Sequence, residues 1–314
     1  MLKLLKYLLR VSPLKQIIEI TKRLRLPGFD GLPLYDVLNF FIKRLNEGEL
    51  QVRARSLAFS FLLALFPAII FIFTLIPYIP IEHFQDRMLA LIQTLLPGNT
   101  YQAARTTIED IVKHQRGGLL SFGFFFALFV SADGVLALLK WFNKSYHGRE
   151  FRKPWKLRLI SIAITITLAV LVVCSITLIV ISEVVYNYLS SPQQIYDHVM
   201  HLLILQIGKW IILLALCFTA ISLLYYYGPS KDRKLRFISA GSSLATLLIV
   251  ATSLGFNYFI THFGQYNKVY GSIGTLIIIL IWLYINSLVM LVGYELNVAI
   301  RKAKQNEITS LPIQ

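Results

Sequence analysis

The chain has 314 residues, 56% of them hydrophobic and only 15% charged, and its formal net charge is +15. A globular domain carries roughly 25% charged residues, so this chain cannot cover a water-facing surface, and its 21 Phe, 16 Tyr and 4 Trp exclude a disordered one. The two cysteines, Cys174 and Cys217, lie inside apolar runs, which excludes a disulfide framework or a thiolate metal site and leaves them as packing or membrane-facing residues.

Residues 1–56 form a basic segment with 11 Lys/Arg. Within 1–27, Lys3, Lys6, Arg10, Lys15, Lys22, Arg23 and Arg25 break the apolar run before it reaches spanning length. Leu34–Glu49 sets Val37, Leu38, Phe41 and Leu45 on one face, with Lys43, Arg44 and Glu47 largely elsewhere. That spacing predicts an amphipathic helix, and residues 1–26 are a second candidate. A helix in the membrane interface and a cap packed beneath a bundle fit the pattern equally.

Six apolar stretches follow, each long enough to cross a bilayer: Leu57–Pro80, Gly118–Leu139, Leu159–Tyr186, Leu202–Tyr227, Phe237–Thr261 and Gly271–Ala299. In lipid the backbone must pair within its own segment or in a closed barrel, and the short alternating segments of a barrel are absent. The expected fold is all-α: a polytopic membrane protein with six transmembrane helices, flanked by interfacial amphipathic helices. Residues 57–299 form the membrane domain and 300–314 a tail. The first stretch starts too late and runs too long for a cleaved signal peptide.

Pro67 interrupts the hydrogen-bond ladder of the first span and should bend it. Between the first two spans, FQDRMLALIQTLL and YQAARTTIEDIVK, split by Pro97-Gly98, read as two short helices. Asp133 in the second span, with Lys140 two turns on, is the best candidate for a functional acid. Glu183 in the third span and Lys209 in the fourth lie at similar depth and could pair. Asp197, His198 and His201 could offer a metal two imidazoles, but no third strong ligand is evident. In the fifth span Ser239/Ser243 and Gly241/Ala245 make a small-xxx-small surface for close helix approach. In the sixth, Asn286, Met290, Gly293 and Asn297 share one face, which serves equally as packing glue or as a pore lining. Glu295, near the end of that span, can snorkel to the interface or meet Lys302.

The Lys/Arg distribution sets the orientation. Residues 1–56, 140–158, 228–236 and 300–314 hold 25 of the 31; the three opposite segments hold 5, and Lys209 is the remainder. Both termini and the basic segments are therefore expected in the cytoplasm, and attraction to anionic lipid is compatible with that charge. No Gly-rich phosphate loop, HExxH or GxSxG occurs, so no catalytic residue, metal or cofactor is assigned.

SLAFSFLLALFPAI (56–69), SADGVLALLKWFNKSY (131–146) and the closing stretch 256–300, with its YGSIG, WLY and GYELN elements, resemble the YihY / virulence factor BrkB family of bacterial inner-membrane proteins. The resemblance covers about residues 35–303. It implies six spans and a bacterial cytoplasmic membrane. Tyr294 departs from the Ala usual in the family's G-A-E-L-N element, which weakens the expectation of tight packing there. Some members bear a ribonuclease label that these residues do not support; others are regarded as candidate transporters of envelope lipid. By that analogy the chain is expected to transport or translocate an anionic amphiphile. Lys209, Asn286, Asn297 and Asp133 would meet its headgroup at successive depths, with protonation of a buried Asp133 as one means of coupling. Lipids, anionic ones above all, are the expected partners, without specific nucleic acid; self-association into a homo-oligomer stays open. The alternative is a non-transporting membrane scaffold or a membrane enzyme.

Overall fold

The computed structural model describes residues 19–22, 24–25, 28–47, 49–78, 84–95, a few between 102 and 112, 122–145, 152–189, 195–229, 236–262 and 266–310. Its long elements are helices: α1 (Leu34–Glu47), α2 (Leu50–Leu75), α3 (Phe84–Leu95), α4 (Phe122–Ser145), α5 (Pro154–Leu189), α6 (Ile195–Tyr227), α7 (Ala240–His262) and α8 (Tyr266–Ser310). Six of them, α2 and α4–α8, are long and apolar enough to cross a membrane. The fold is the expected all-α polytopic one.

Several helices run past the limits that hydropathy sets. The first span starts at Leu50 rather than Leu57, so Arg53 and Arg55 belong to it. The last continues without a break from Ala299 to Ser310. At 1.5 Å per residue its 45 residues make about 68 Å, more than twice the thickness of bilayer hydrocarbon. Hydropathy marks where lipid contact ends, whereas backbone hydrogen bonding continues through the helix-forming run RKAKQNE. α2 likewise continues through Pro67 as one helix.

Several hydroxyls inside the spans meet their hydrogen-bond needs locally, although the buried Ser222 and Ser287 hydroxyls find no partner among the described residues. On α5, Thr165, Thr167 and Ser175 donate to the carbonyls four residues back, at 2.8–2.9 Å. This back-bonding lets hydroxyls sit in an apolar helix without an unpaired donor. Outward faces are apolar, as lipid demands: Phe59, Leu63, Phe66 and Ile70 form an exposed stripe at helical spacing along α2.

The chain divides into two compact units. Unit 1 comprises residues 1–58, 139–151 and 221–314. Here Phe29, Leu32 and Val37 pack with Leu296, Ile300 and Ala303 of α8. The amphipathic helix α1 is thus a cap on the end of α8, while Leu38 and Ile42 on another face stay exposed. Of the two placements open from its sequence, packing takes one face of the helix and leaves the other for the surroundings.

Unit 2 comprises residues 59–138 and 152–220. Ile76 beyond α2, Phe84, Met88, Leu89 and Ile92 of α3, and Val180 of α5 form one cluster with Ile108 and Val112. Of the two short helices expected between the first spans, the first is α3. The second lies partly outside the described residues, but Ile108 and Val112 from it join the same cluster. Phe71, Ala127, Leu128 and Ala169 form a second cluster. A Cβ on Gly134 would lie 2.8 Å from the Phe61 ring and 3.3 Å from Ala64 Cβ, so glycine sets the close approach of α2 and α4.

Candidate functional site

In unit 1 the small residues of α7 meet α8 backbone to backbone. A Cβ on Gly241 would overlap the carbonyl oxygen of Gly293, and one on Gly293 would lie 2.7 Å from Ala245 Cβ, the Gly241 carbonyl oxygen and the Tyr225 hydroxyl. Gly241, Ala245 and Gly293, expected as packing residues, come together here. The fourth, Pro67, belongs to unit 2 and takes no part.

Asn297 completes this junction. Its Oδ1 accepts the Gly241 N–H at 2.8 Å, and its Nδ2 donates to Ser239 Oγ at 2.9 Å. Ser239 is the N-cap of α7. It forms a reciprocal pair with Ser242: each backbone N–H donates to the other's hydroxyl, at 3.1 and 3.2 Å. This is a capping box with serine in the place usually held by Glu or Gln. A helix that starts near lipid has orphan N–H groups, and α8 satisfies one of them in trans.

Glu295 departs from expectation. It is buried, 2% exposed, and forms an ion pair with Arg53 of α2, whose Nη1 donates to Oε1 at 3.2 Å. The sequence pattern sends this carboxylate to the interface or to Lys302; the observed partner is 242 positions away in sequence. The Arg53 guanidinium also lies over the Trp141 ring, 5.8 Å from its centroid. Close by in sequence, Tyr294 is fully buried and stacks on Phe142 at 4.0 Å, with Tyr225 edge-on at 5.7 Å. The weaker packing expected at Tyr294 is therefore corrected: the ring fills the space, and Gly228 leaves room for Phe142, since a Cβ there would come within 2.7 Å of that ring. Tyr225 donates to the Met290 carbonyl at 2.6 Å, so its hydroxyl is satisfied in the apolar interior.

In unit 2, Asp133 pairs with Arg158 of α5 rather than with Lys140 of its own helix. The two members differ in environment. The Arg158 side chain is 16% exposed; it donates to the Phe129 carbonyl at 2.6 Å and lies over the Phe129 ring, 3.6 Å from the centroid. The Asp133 side chain is 55% exposed. The burial expected of Asp133 is absent, because its helix face looks outward: Phe126 and Phe129, at spacings of seven and four from it, are exposed as well. A fixed guanidinium and an open carboxylate thus adjoin an exposed aromatic stripe.

The other polar candidates are placed less closely. Asn286 donates to the Trp282 carbonyl of its own helix at 2.8 Å. Lys209 is partly exposed, with its ammonium 5.9 Å from the Trp210 ring centroid. The Glu183 side chain lies outside the described residues, and with it the Glu183–Lys209 pairing; so do the side chains of Asp197, His198 and His201. Of the described polar candidates, Asp133 and Lys209 belong to unit 2 and Asn286 and Asn297 to unit 1. Arg53 and Arg158, which complete the two ion pairs, are the residues that sequence reasoning missed. Arg53 stands one turn before the predicted first span and Arg158 immediately before the third, and a basic residue just outside an apolar limit is the signal that could have found them.

A family model described as Virulence factor BrkB matches residues 41–313. The chain belongs to the BrkB family. The resemblance carried by YGSIG, WLY and GYELN is thereby confirmed. Similar proteins include YfkH of Bacillus subtilis, named as ribonuclease-like, at 30% identity over 83% of this chain and 93% of that one. A UPF0761 membrane protein of Tolumonas auensis is 27% identical over 85% and 86% of the two chains, and one of Vibrio campbellii is 25% identical over 83% and 81%. No solved structure matches. As a BrkB family member with six candidate spans, this is a membrane protein.

Proposed function

We propose that this BrkB protein translocates an anionic amphiphile, such as an envelope lipid, and that unit 2 carries the surface it uses. The observation behind this reading is the open side of the Asp133–Arg158 pair. A charged group on a spanning helix is costly against hydrocarbon and is stable where it meets water or another polar group. Here the carboxylate and guanidinium adjoin Phe126 and Phe129, so one exposed strip offers polar groups for a headgroup and aromatic faces for chains. Arg158 is the group suited to a phosphate, since its planar fork binds phosphate oxygens two at a time. Asp133 would hold that fork between encounters.

In this reading the protein is non-enzymatic and lies in a bacterial cytoplasmic membrane with both termini in the cytoplasm. The asymmetry of 25 basic residues against 5 supports that topology. Reporter fusions after Gly148, Gly228 and Gln314 should read cytoplasmic, and one after Gln193 external; a cytoplasmic signal after Gln193 overturns it.

The translocation test uses vesicles holding the full chain and fluorescently labelled phosphatidylglycerol. Wild type should expose inner-leaflet label to an external quencher faster than protein-free vesicles, and Arg158→Gln should remove most of that gain. Equal rates with and without protein would end the reading. A scaffold reading has its own support: Asn286 and Asn297 are engaged in hydrogen bonds within and between helices. It takes over in that case.

A further inference from the structure

At the end of unit 1 capped by α1, a cavity of about 270 Å³ lies between three separate chain segments. Asp30 reaches it from the loop before α1, Arg236 and Ser239 from the approach to α7, and Asn297, Arg301 and Lys304 from α8. We infer that this cavity is a binding site for a phosphate ester, and that Asp30 is a built-in competitor for its cations.

The loop geometry is specific. Gly28, Asp30 and Gly31 all adopt left-handed backbone, with φ of 90°, 53° and 83°. A non-glycine residue there is disfavoured and persists only when its surroundings hold it. Phe29 and Leu32 supply that hold by burying their side chains against Leu296, Ile300 and Ala303. The turn then presents the Asp30 carboxylate to two cations at once: Arg236 at 2.8 Å and Lys304 at 3.3 Å. Arg301 lines the cavity as well, so the described lining residues include three cations and one carboxylate. Such a lining favours an anion, and a phosphate ester offers several acceptor oxygens to these donors.

Access and size agree with this ligand. The side chains of Arg236 and Lys304 are 72% and 43% exposed, so both can turn to a ligand without being drawn from a sealed interior. The volume falls just below the roughly 300 Å³ at which pockets enclose drug-sized molecules, which suits a headgroup and excludes an acyl chain. α7 also begins here and directs the positive end of its dipole at the cavity. Its Gly241 and Ser242 N–H groups are already taken by Asn297 and Ser239, so the side-chain cations supply the direct contacts. The inference is independent of translocation: an anion can be held here whether or not lipid crosses the bilayer.

Because Asp30 occupies cations that a phosphate would take, the site predicts effects of opposite sign. Binding is measured on delipidated full-length protein in neutral detergent by isothermal titration. The probes are dioctanoyl phosphatidic acid, glycerol 3-phosphate and, as a zwitterionic control, dioctanoyl phosphatidylcholine. Wild type should bind phosphatidic acid saturably and the control at least about tenfold more weakly. Arg236→Gln and Arg301→Gln should each weaken binding by about tenfold, the size of one charge-assisted hydrogen bond. Asp30→Asn should tighten it. Lys156→Gln, the same charge change on an exposed residue of unit 2, should leave it unaltered. Glycerol 3-phosphate binding as well as the lipid assigns the site to soluble phosphate esters too; binding of the lipid alone assigns it to a lipid headgroup. The proposal is overturned if wild type shows no saturable binding, if Lys156→Gln weakens it as much as Arg301→Gln, or if a folded Asp30→Asn protein binds more weakly. Should Asp30→Asn fail to fold, the contrast between Arg301→Gln and Lys156→Gln decides alone.

Discussion

The two units treat membrane-embedded polar residues in opposite ways. Unit 1 turns four of them inward and satisfies them across helices: Asn297 on the α7 N-terminus, Tyr225 on the Met290 carbonyl, Asn143 on the Gly228 carbonyl at 3.4 Å, and Glu295 on Arg53. Unit 2 turns its ion pair outward, with the carboxylate more than half exposed. Residue type does not distinguish the cases, since each unit has a carboxylate–guanidinium pair between spanning helices. Burial does. A buried, mutually satisfied group fixes helix geometry, whereas an open one keeps hydrogen-bonding capacity for something outside the protein.

The largest expected effect tests the inward half of that contrast. Glu295→Gln should destabilise unit 1 by about 3 kcal/mol or more, because it leaves the Arg53 charge buried without its carboxylate. The double variant Arg53→Met with Glu295→Met should recover most of the loss, since an apolar pair of similar volume has no charge to desolvate. Thermal melts in detergent read both, and additive losses would remove the coupling. Next in size is Gly241→Ala, at about 2 kcal/mol, because its Cβ meets backbone and nothing flexible can give way. Gly255→Ala on the same helix has open space around it and should be neutral or slightly stabilising. If both substitutions behave alike, the close contact of α7 with α8 is not what holds this junction. Asn297→Ala should cost about 1 kcal/mol, the usual loss of a helix cap.

Hydropathy alone located the six spans, because some 18 consecutive apolar residues have no other stable home. It did not locate helix ends: α2 begins seven residues early and α8 reaches Ser310, since charged residues continue a helix beyond the lipid as well as apolar ones do. Small-residue spacing on α7 did identify Gly241 and Ala245 as a contact surface, and the stripe on α8 pointed to Gly293 and Asn297. Ion-pair partners were another matter. Helical periodicity offers only neighbours on the same helix, and so it named Lys302 for Glu295 and Lys140 for Asp133. The observed partners, Arg53 and Arg158, are 242 and 25 positions distant. Likewise nothing in the local run GFDG connects Asp30 to Lys304, 274 positions on. Such contacts are decided by which helix ends meet, a property of the packed chain.

The smallest expected stability effect bears most directly on the outward half of the comparison. Asp133→Asn removes one member of a pair whose carboxylate side is open, and exposed pairs contribute at most about 1 kcal/mol. Arg158 keeps its bond to the Phe129 carbonyl and its place over the Phe129 ring, so the melting temperature should shift far less than in Glu295→Gln. Arg158→Gln should cost more than Asp133→Asn, because it removes those contacts along with the ion pair. The translocation assay should not follow the melts. Asp133→Asn, nearly native in stability, should still change the rate at which labelled phosphatidylglycerol crosses, since it alters the charge that a headgroup meets. Should Asp133→Asn instead melt as early as Glu295→Gln, its carboxylate is structural like that of unit 1, and the two units do not differ in this respect.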